Sequence, residues 1–124
     1  MKILVDTCIL IDLLRGNEEI AQILLKNDNF IINSIVYMEI IKGARNKVEL
    51  NNLNNFLNVF EIVRIDKTIS QKAEHLIETY HLSHNLQIAD ALIAATCLVK
   101  GAVLWTFNKK DFVFIKGINF FEPV

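Results

Sequence analysis

Short β-branched or aromatic runs alternate along this chain with longer stretches of helical periodicity, and that alternation restricts the fold more than any other feature. It is the pattern of an α/β protein, in which a largely parallel sheet is covered by the helices that connect its strands. The expected strands are Lys2 to Val5, Phe30 to Asn33, Glu61 to Ile65 and Ala102 to Trp105, with Asn119 to Phe121 as a fifth, edge strand before Pro123. Helices are expected from Thr7 to Gly16, from Glu18 to Lys26 behind an Asn17 cap, and from a Ser34 cap to about Asn46. Further helices are expected over Val48 to Val59, Lys67 to Tyr80 and Leu86 to Lys100, the last ended by Gly101. His81 to Asn85 reads as a polar connection and Thr106 to Asp111 as a turn or short helix. The resulting expectation is a three-layer α/β/α arrangement around a mainly parallel sheet of four to five strands.

The chain has 124 residues, 52% of them hydrophobic, with no linker or repeat, so one domain spanning 1–124 with a substantial core is expected. Its net charge of −1 lacks the basic excess usual in nucleic-acid binders, so any such contact must come from local patches or from a metal. Cys8 and Cys97 are too few and too far apart for a zinc knuckle or a disulfide framework, and read as reduced packing cysteines of a cytoplasmic protein. Asp6 and Asp12 interrupt what would otherwise resemble a signal peptide, and Asp90, Lys100 and Gly101 interrupt the long apolar stretch from Leu86 to Trp105, so no membrane segment is expected.

Four acidic residues stand out against this background. Asp6 ends the run Ile3-Leu4-Val5, Glu39 lies inside Ile35 to Ile41, Asp90 interrupts Ile88 to Ala95, and Asp111 falls in the turn after the fourth strand. Ionised carboxylates are costly to bury unless paired, hydrogen-bonded or metal-bound, so three in three apolar segments point to one shared partner, a divalent cation. The layout gives them a common address, because ligands of open α/β sheets collect at the carboxyl ends of strands. Each acid also has a plainer reading. Asp6 suits a helix cap, Glu39 an exposed helix position, and Asp111 a turn that bonds backbone amides, while Asp90 has apolar neighbours at Ile93, Ala94 and Cys97.

The chain resembles the PIN-domain ribonucleases, and within them the VapC-type toxins of toxin–antitoxin pairs. The matching stretches are Leu4-Val5-Asp6-Thr7 with Leu10 to Gly16, Ser34-Ile35-Val36 leading to Glu39-Ile40, Ile88 to Thr96 around Asp90, and Thr106, Asn108, Asp111 and Phe112. Two positions depart from the pattern, Cys8 where Asn or Ser is common and Gln87 where a small residue or proline is frequent, and neither removes a carboxylate. The resemblance implies a magnesium- or manganese-dependent endoribonuclease, a homodimer, and a small VapB-type antitoxin. It matches Asp6, Glu39, Asp90 and Asp111 to the family's acidic quartet. Magnesium is usually gripped by one or two carboxylates and keeps several waters. Asp6 and Asp90 are therefore expected as direct ligands, with Glu39 and Asp111 holding waters on the metal or a second ion.

Thr7, Thr106 and Asn108 are candidates to hydrogen-bond the carboxylates or those waters. Arg15, Lys42, Arg45, Lys109 and Lys110, with Lys47 and Lys116, are candidate RNA contacts, the alternative for each being ordinary solvated surface. Asp12 is expected to pair with Arg15, and His75, His81 and His84 to lie on the surface apart from the acidic motifs. Two other classes stay open. A receiver-type phospho-accepting domain also binds magnesium at strand ends but needs an acceptor Asp closing strand three, and a non-catalytic PIN-like module would only bind partners.

Overall fold

The computed structural model describes residues 1–123. Its strands are β1 (Ile3–Val5), β2 (Phe30–Asn33), β3 (Glu61–Val63) and β4 (Val103–Trp105), and its helices are α1 (Thr7–Leu14), α2 (Glu18–Leu25), α3 (Ser34–Ile41), α4 (Lys47–Leu57), α5 (Lys67–His84) and α6 (Ile88–Lys100). A 3-10 turn follows at Lys109–Asp111. The four strands form one sheet in the order β3-β2-β1-β4, every pair parallel, with Leu4 opposite both Ile31 and Leu104. Every residue of β1 and β2 is buried, as a parallel sheet covered on both faces requires.

The strand order places a topological switch point between β1 and β4. The chain builds outward from β1 through β2 to β3, then returns to β4 on the other side of β1. Crevices open at the carboxyl ends of strands where the winding reverses in this way. The residues that leave β1 and β4 at that crevice are Asp6 and Thr106.

Several boundaries differ from those expected of the sequence. α3 stops at Ile41, because Lys42 and Gly43 turn the chain back onto it and Asn46 opens α4 as its cap, accepting from the Glu49 amide at 2.9 Å. The cap of α3 is Asn33, not Ser34: its Oδ1 accepts from the Val36 amide at 3.0 Å. α5 does not yield to a loop at His81. Nothing between Tyr80 and His84 breaks a helix, and the turn comes at Asn85, which takes a left-handed conformation (φ 53°, ψ 44°) that asparagine tolerates. β3 is shorter than expected because it lies at the sheet edge, and Arg64 and Ile65 leave the ladder. The segment expected as a fifth strand makes a single parallel bridge, Leu104 with Phe120, where the Phe121 amide bonds the Leu104 carbonyl at 2.8 Å and covers the outer edge of β4.

One buried polar brace ties the two helices that carry Glu39 and Asp90. Asn33 and Thr96 are both fully buried; Asn33 Nδ2 donates to Thr96 Oγ1 at 3.0 Å, and Thr96 Oγ1 donates to the Leu92 carbonyl at 2.8 Å. The start of α3 is thereby fixed against the middle of α6, and no buried side-chain polar atom among the described residues lacks a partner.

Candidate active site

Asp6 is buried at the end of β1, where its extended backbone caps α1 and its amide still bonds the Trp105 carbonyl of β4 at 2.9 Å. Its carboxylate is held by donors from both sides of the crevice. Oδ1 accepts from the Thr7 amide at 2.8 Å, and Oδ2 accepts from Thr106 Oγ1 at 2.7 Å and, weakly, from Cys8 Sγ at 3.7 Å. Thr106 Oγ1 accepts in turn from the Asn108 amide at 3.0 Å, which fixes the hydroxyl's direction. Thr7 reaches across to α3 and donates through Oγ1 to Glu39 Oε1 at 2.6 Å. Capping and membership of an acidic cluster are therefore compatible at Asp6, and Glu39, although exposed, is drawn toward the same centre.

Asp90 stands in the first turn of α6, half-buried, where the helix N-terminus favours negative charge. Its carboxyl is pushed up to about 6, first by burial and then by the charges of Asp6, Asp111 and Glu39. Burial also raises Asp6, against the lowering effect of the hydrogen bonds from Thr106, Thr7 and Cys8, and Glu39 raises it further. The charges of the other three acids thus all reach Asp90. None of the four forms a salt bridge among the described residues.

This is a donor set suited to a hard divalent cation: carboxylate oxygens, mutually repelling, and in no salt bridge with a lysine or arginine among the described residues. Among the described residues no three His, Cys, Asp or Glu side chains form a ready-made metal cage. Magnesium needs no such cage, since it keeps waters and takes only one or two carboxylates directly. The thiols do not compete for the role. Burial raises Cys8 and pushes Cys97 up to about 12, so both stay protonated.

The expected packing role suits Cys97, but Cys8 lies against the acids, with Thr106 Oγ1 at 3.6 Å. Its position two residues after Asp6 was the available signal. Asp12 does not pair with Arg15. Its Oδ2 accepts from Asn17 Nδ2 at 2.7 Å, because Asn17 folds back to cap α2 through its own Oδ1. His84 is exposed as expected but not remote: it shares a cavity of about 220 Å³ with Asp90, Asp111 and Lys110. The extra turn of α5, from His81 to His84, carries it there.

The candidate RNA-binding cations fall into two groups. Arg45 is engaged by Glu49 at 2.8 Å, and Lys109 pairs with Glu122 and lies over the Phe120 ring. Arg15, Lys42, Lys47, Lys110 and Lys116 are exposed and form no salt bridge among the described residues. Arg15 and Arg45 line a groove of about 670 Å³ that runs up to Glu39, bordered by Ile11, Leu14 and Leu53. No described helix is long and apolar enough to cross a membrane.

The chain is similar to known proteins in both sequence and fold. Residues 3–116 match the PIN domain family. The chain is 34% identical to Ribonuclease VapC1 of Methanocaldococcus jannaschii over 126 aligned positions, covering 98% of this chain and 88% of that protein. A toxin-antitoxin complex from Klebsiella pneumoniae contains a chain that superposes with a TM-score of 0.82 at 31% identity, covering 99% of this chain and 98% of that one. VapBC-1 from nontypeable Haemophilus influenzae shares the fold, with a TM-score of 0.80 at 21% identity and 98% of each chain covered. An acid-lined switch point on a four-stranded parallel sheet, a family match along nearly the whole sequence and a relative at this identity lead to one conclusion: the chain belongs to the PIN domain family.

Proposed function

We propose that this chain is a magnesium- or manganese-dependent endoribonuclease, the toxin of a VapBC-type toxin–antitoxin pair, acting in the cytoplasm. The observation that carries the reading is the unneutralised acidic cluster at the switch point, with Asp6 already oriented by Thr106, Thr7 and Cys8. Similarity to Ribonuclease VapC1 and to a chain of the Klebsiella toxin-antitoxin complex supports the substrate and the pairing. The receiver-type alternative loses its footing, because β3 ends at Val63 and is followed by Arg64 with no acceptor Asp.

Asp6 and Asp90 would hold the cation, and Asp111 and Glu39, both exposed, would flank it. Bound there, the ion supplies the positive charge that draws the scissile phosphate into an acidic site and makes an attacking water more acidic. The rest of the work falls to the chain. Thr106 and the Thr7 amide keep the Asp6 oxygens aimed into the crevice, and Thr7 steadies Glu39. Glu39 or Asp111 is placed to accept the proton of the attacking water. Lys42, Lys110 and Arg15 are free to take flanking phosphates, whereas Lys109 and Arg45 must first leave their carboxylate partners.

An antitoxin is expected to silence this site with an Arg or Lys placed among the same carboxylates, since a guanidinium satisfies them bidentately. On α2 and α3, Ile20 and Ile40 are buried, while Leu25 and Met38 are exposed and available for an antitoxin or a second copy of the chain. The test is cleavage of single-stranded RNA by the purified protein. Activity should disappear in EDTA, return with magnesium or manganese, and disappear again when the antitoxin is added. Cleavage undiminished in EDTA would overturn the metal-dependent mechanism, and no cleavage with either ion would leave a non-catalytic binding module.

A further inference from the structure

We propose that the cavity beside Asp90 and Asp111 is a base-stacking subsite, in which the paired rings of His84 and Phe114 seat one unpaired nucleotide next to the bond to be cut. The inference rests on the ribonuclease reading and adds to it a determinant of where the strand is held. The His84 imidazole lies flat on the Phe114 ring, with centroids 4.1 Å apart and planes 9° from parallel. Tyr80 abuts both rings edge-on, at 6.0 Å and 5.3 Å. Its hydroxyl accepts from the Lys116 amide at 3.1 Å, which ties the end of α5 to the segment carrying Phe114. Phe112 and Ile115, on either side of Phe114, are fully buried and anchor that segment. The Ser83 hydroxyl and His84 Nδ1 lie 2.7 Å apart and fix the imidazole's rotation.

The platform is thus assembled by the fold itself, yet His84 remains exposed, with Phe114 covering only one of its faces. Stacked aromatic and histidine rings at an open cavity are what a splayed, single-stranded base uses. The same cavity of about 220 Å³ supplies other contacts such a nucleotide needs. Lys110 is free for a phosphate, and Gln87, whose Nε2 is committed to the Asn85 carbonyl at 3.0 Å, keeps its amide oxygen for a base edge. Because Asp90 and Asp111 line the same space, a base seated on His84 sets which phosphate reaches the acids.

The test is an abasic nucleotide walked along a single-stranded RNA that the enzyme cleaves, with wild type, His84→Ala and His84→Phe. In wild type, one position beside the cut should lower kcat/KM about tenfold when its base is missing, the scale of one stacked base. His84→Ala should lose a similar factor on the intact RNA and become indifferent to that missing base, and His84→Phe should restore both. A parallel binding measurement uses 2-aminopurine at that position with Asp6→Asn protein, so that the strand stays whole. Quenching on binding should vanish when His84→Ala is added. If His84→Ala keeps both the abasic sensitivity and the quenching, the subsite is wrong and the ribonuclease reading stands. Quenching that depends on His84 in a protein whose wild type cleaves no RNA would keep the subsite and remove the nuclease. Absence of both would remove both.

Discussion

Asp6 receives hydrogen bonds from Thr7, Cys8 and Thr106, whereas Asp90, within reach of the same charges, receives no side-chain hydrogen bond among the described residues. Glu39 sides with Asp6, being held by Thr7, and Asp111 sides with Asp90, exposed and without such a bond among the described residues. One half of the cluster is therefore organised by the fold before anything binds, and the other half carries charge that the fold does not compensate. Burial and three like charges push Asp90 up to about 6, a repulsion that a bound cation would relieve. The division has a topological origin. Asp6 and Thr106 close the crevice between adjacent parallel strands, while Asp90 and Asp111 come from a helix start and a surface turn that no ladder braces.

The largest effect that would sharpen this contrast is expected from Asp90→Asn. Cleavage should fall by about 10²- to 10³-fold or more, the scale for weakening the hold on a cation that would stabilise charge at the reacting phosphate. The metal-free variant should nonetheless be more stable than wild type near neutral pH, by about 1–2 kcal/mol after solvent screening, since the repelled charge is gone. Circular dichroism on heating, alongside the cleavage assay, reads both. A variant that is inactive and also destabilised would argue that Asp90 is held by contacts of its own.

Thr106→Val tests the organised half. Removing the hydroxyl that orients Asp6 and receives the Asn108 amide should lower cleavage about 10- to 100-fold, the range for partners that position a metal ligand. Unlike Asp90→Asn it should lower stability, by about 1–2 kcal/mol, because buried hydrogen bonds are lost. Asn33→Ala acts further from the site. It removes the cap of α3 and the brace to Thr96 at once, and a loss of about 2 kcal/mol is expected in denaturant unfolding, with the cleavage rate much less affected.

The smallest effect separates two neighbouring lysines. Lys110→Ala should raise KM for RNA about two- to fivefold, the size of one solvent-screened phosphate contact, while Lys109→Ala should change it less because Glu122 already engages that side chain. Equal effects would show that the Lys109 pairing opens freely on binding.

How much of this was legible in the sequence follows the same division. The strand order of chemistry could be read locally: a buried strand ending in Asp6, an apolar helix interrupted at Asp90, and turn residues around Asp111 are all visible within a few positions. The partners that organise the site were harder to read, because the Thr106 bond to Asp6 spans 100 positions and the Asn33 bond to Thr96 spans 63. Thr106 still stood out as a candidate through its spacing to Asn108 and Asp111, but Asn33 did not, since an asparagine ending a strand reads equally well as a turn. The boundary of α5 was missed for a related reason. The polar residues from His81 to His84 read as a loop, although polarity alone does not end a helix and only Asn85 supplies a stop. That error also concealed the proximity of His84 to the acids.

The contrast between the two halves of the cluster is tested most directly by melting wild type and Asp90→Asn with and without manganese, at pH 5 and pH 7.5. A raised carboxyl binds its proton more tightly in the folded chain, so its contribution to stability is fullest below 3.8 and is lost as pH rises through about 6. Metal-free wild type should therefore be relatively less stable at pH 7.5 than Asp90→Asn, and manganese should raise its melting temperature by several degrees there, at about 4 °C per kcal/mol. The gain should shrink at pH 5, where proton and ion compete, and be largely absent in Asp90→Asn. Equal manganese stabilisation of both proteins at both pH values, or none in either, would contradict the account.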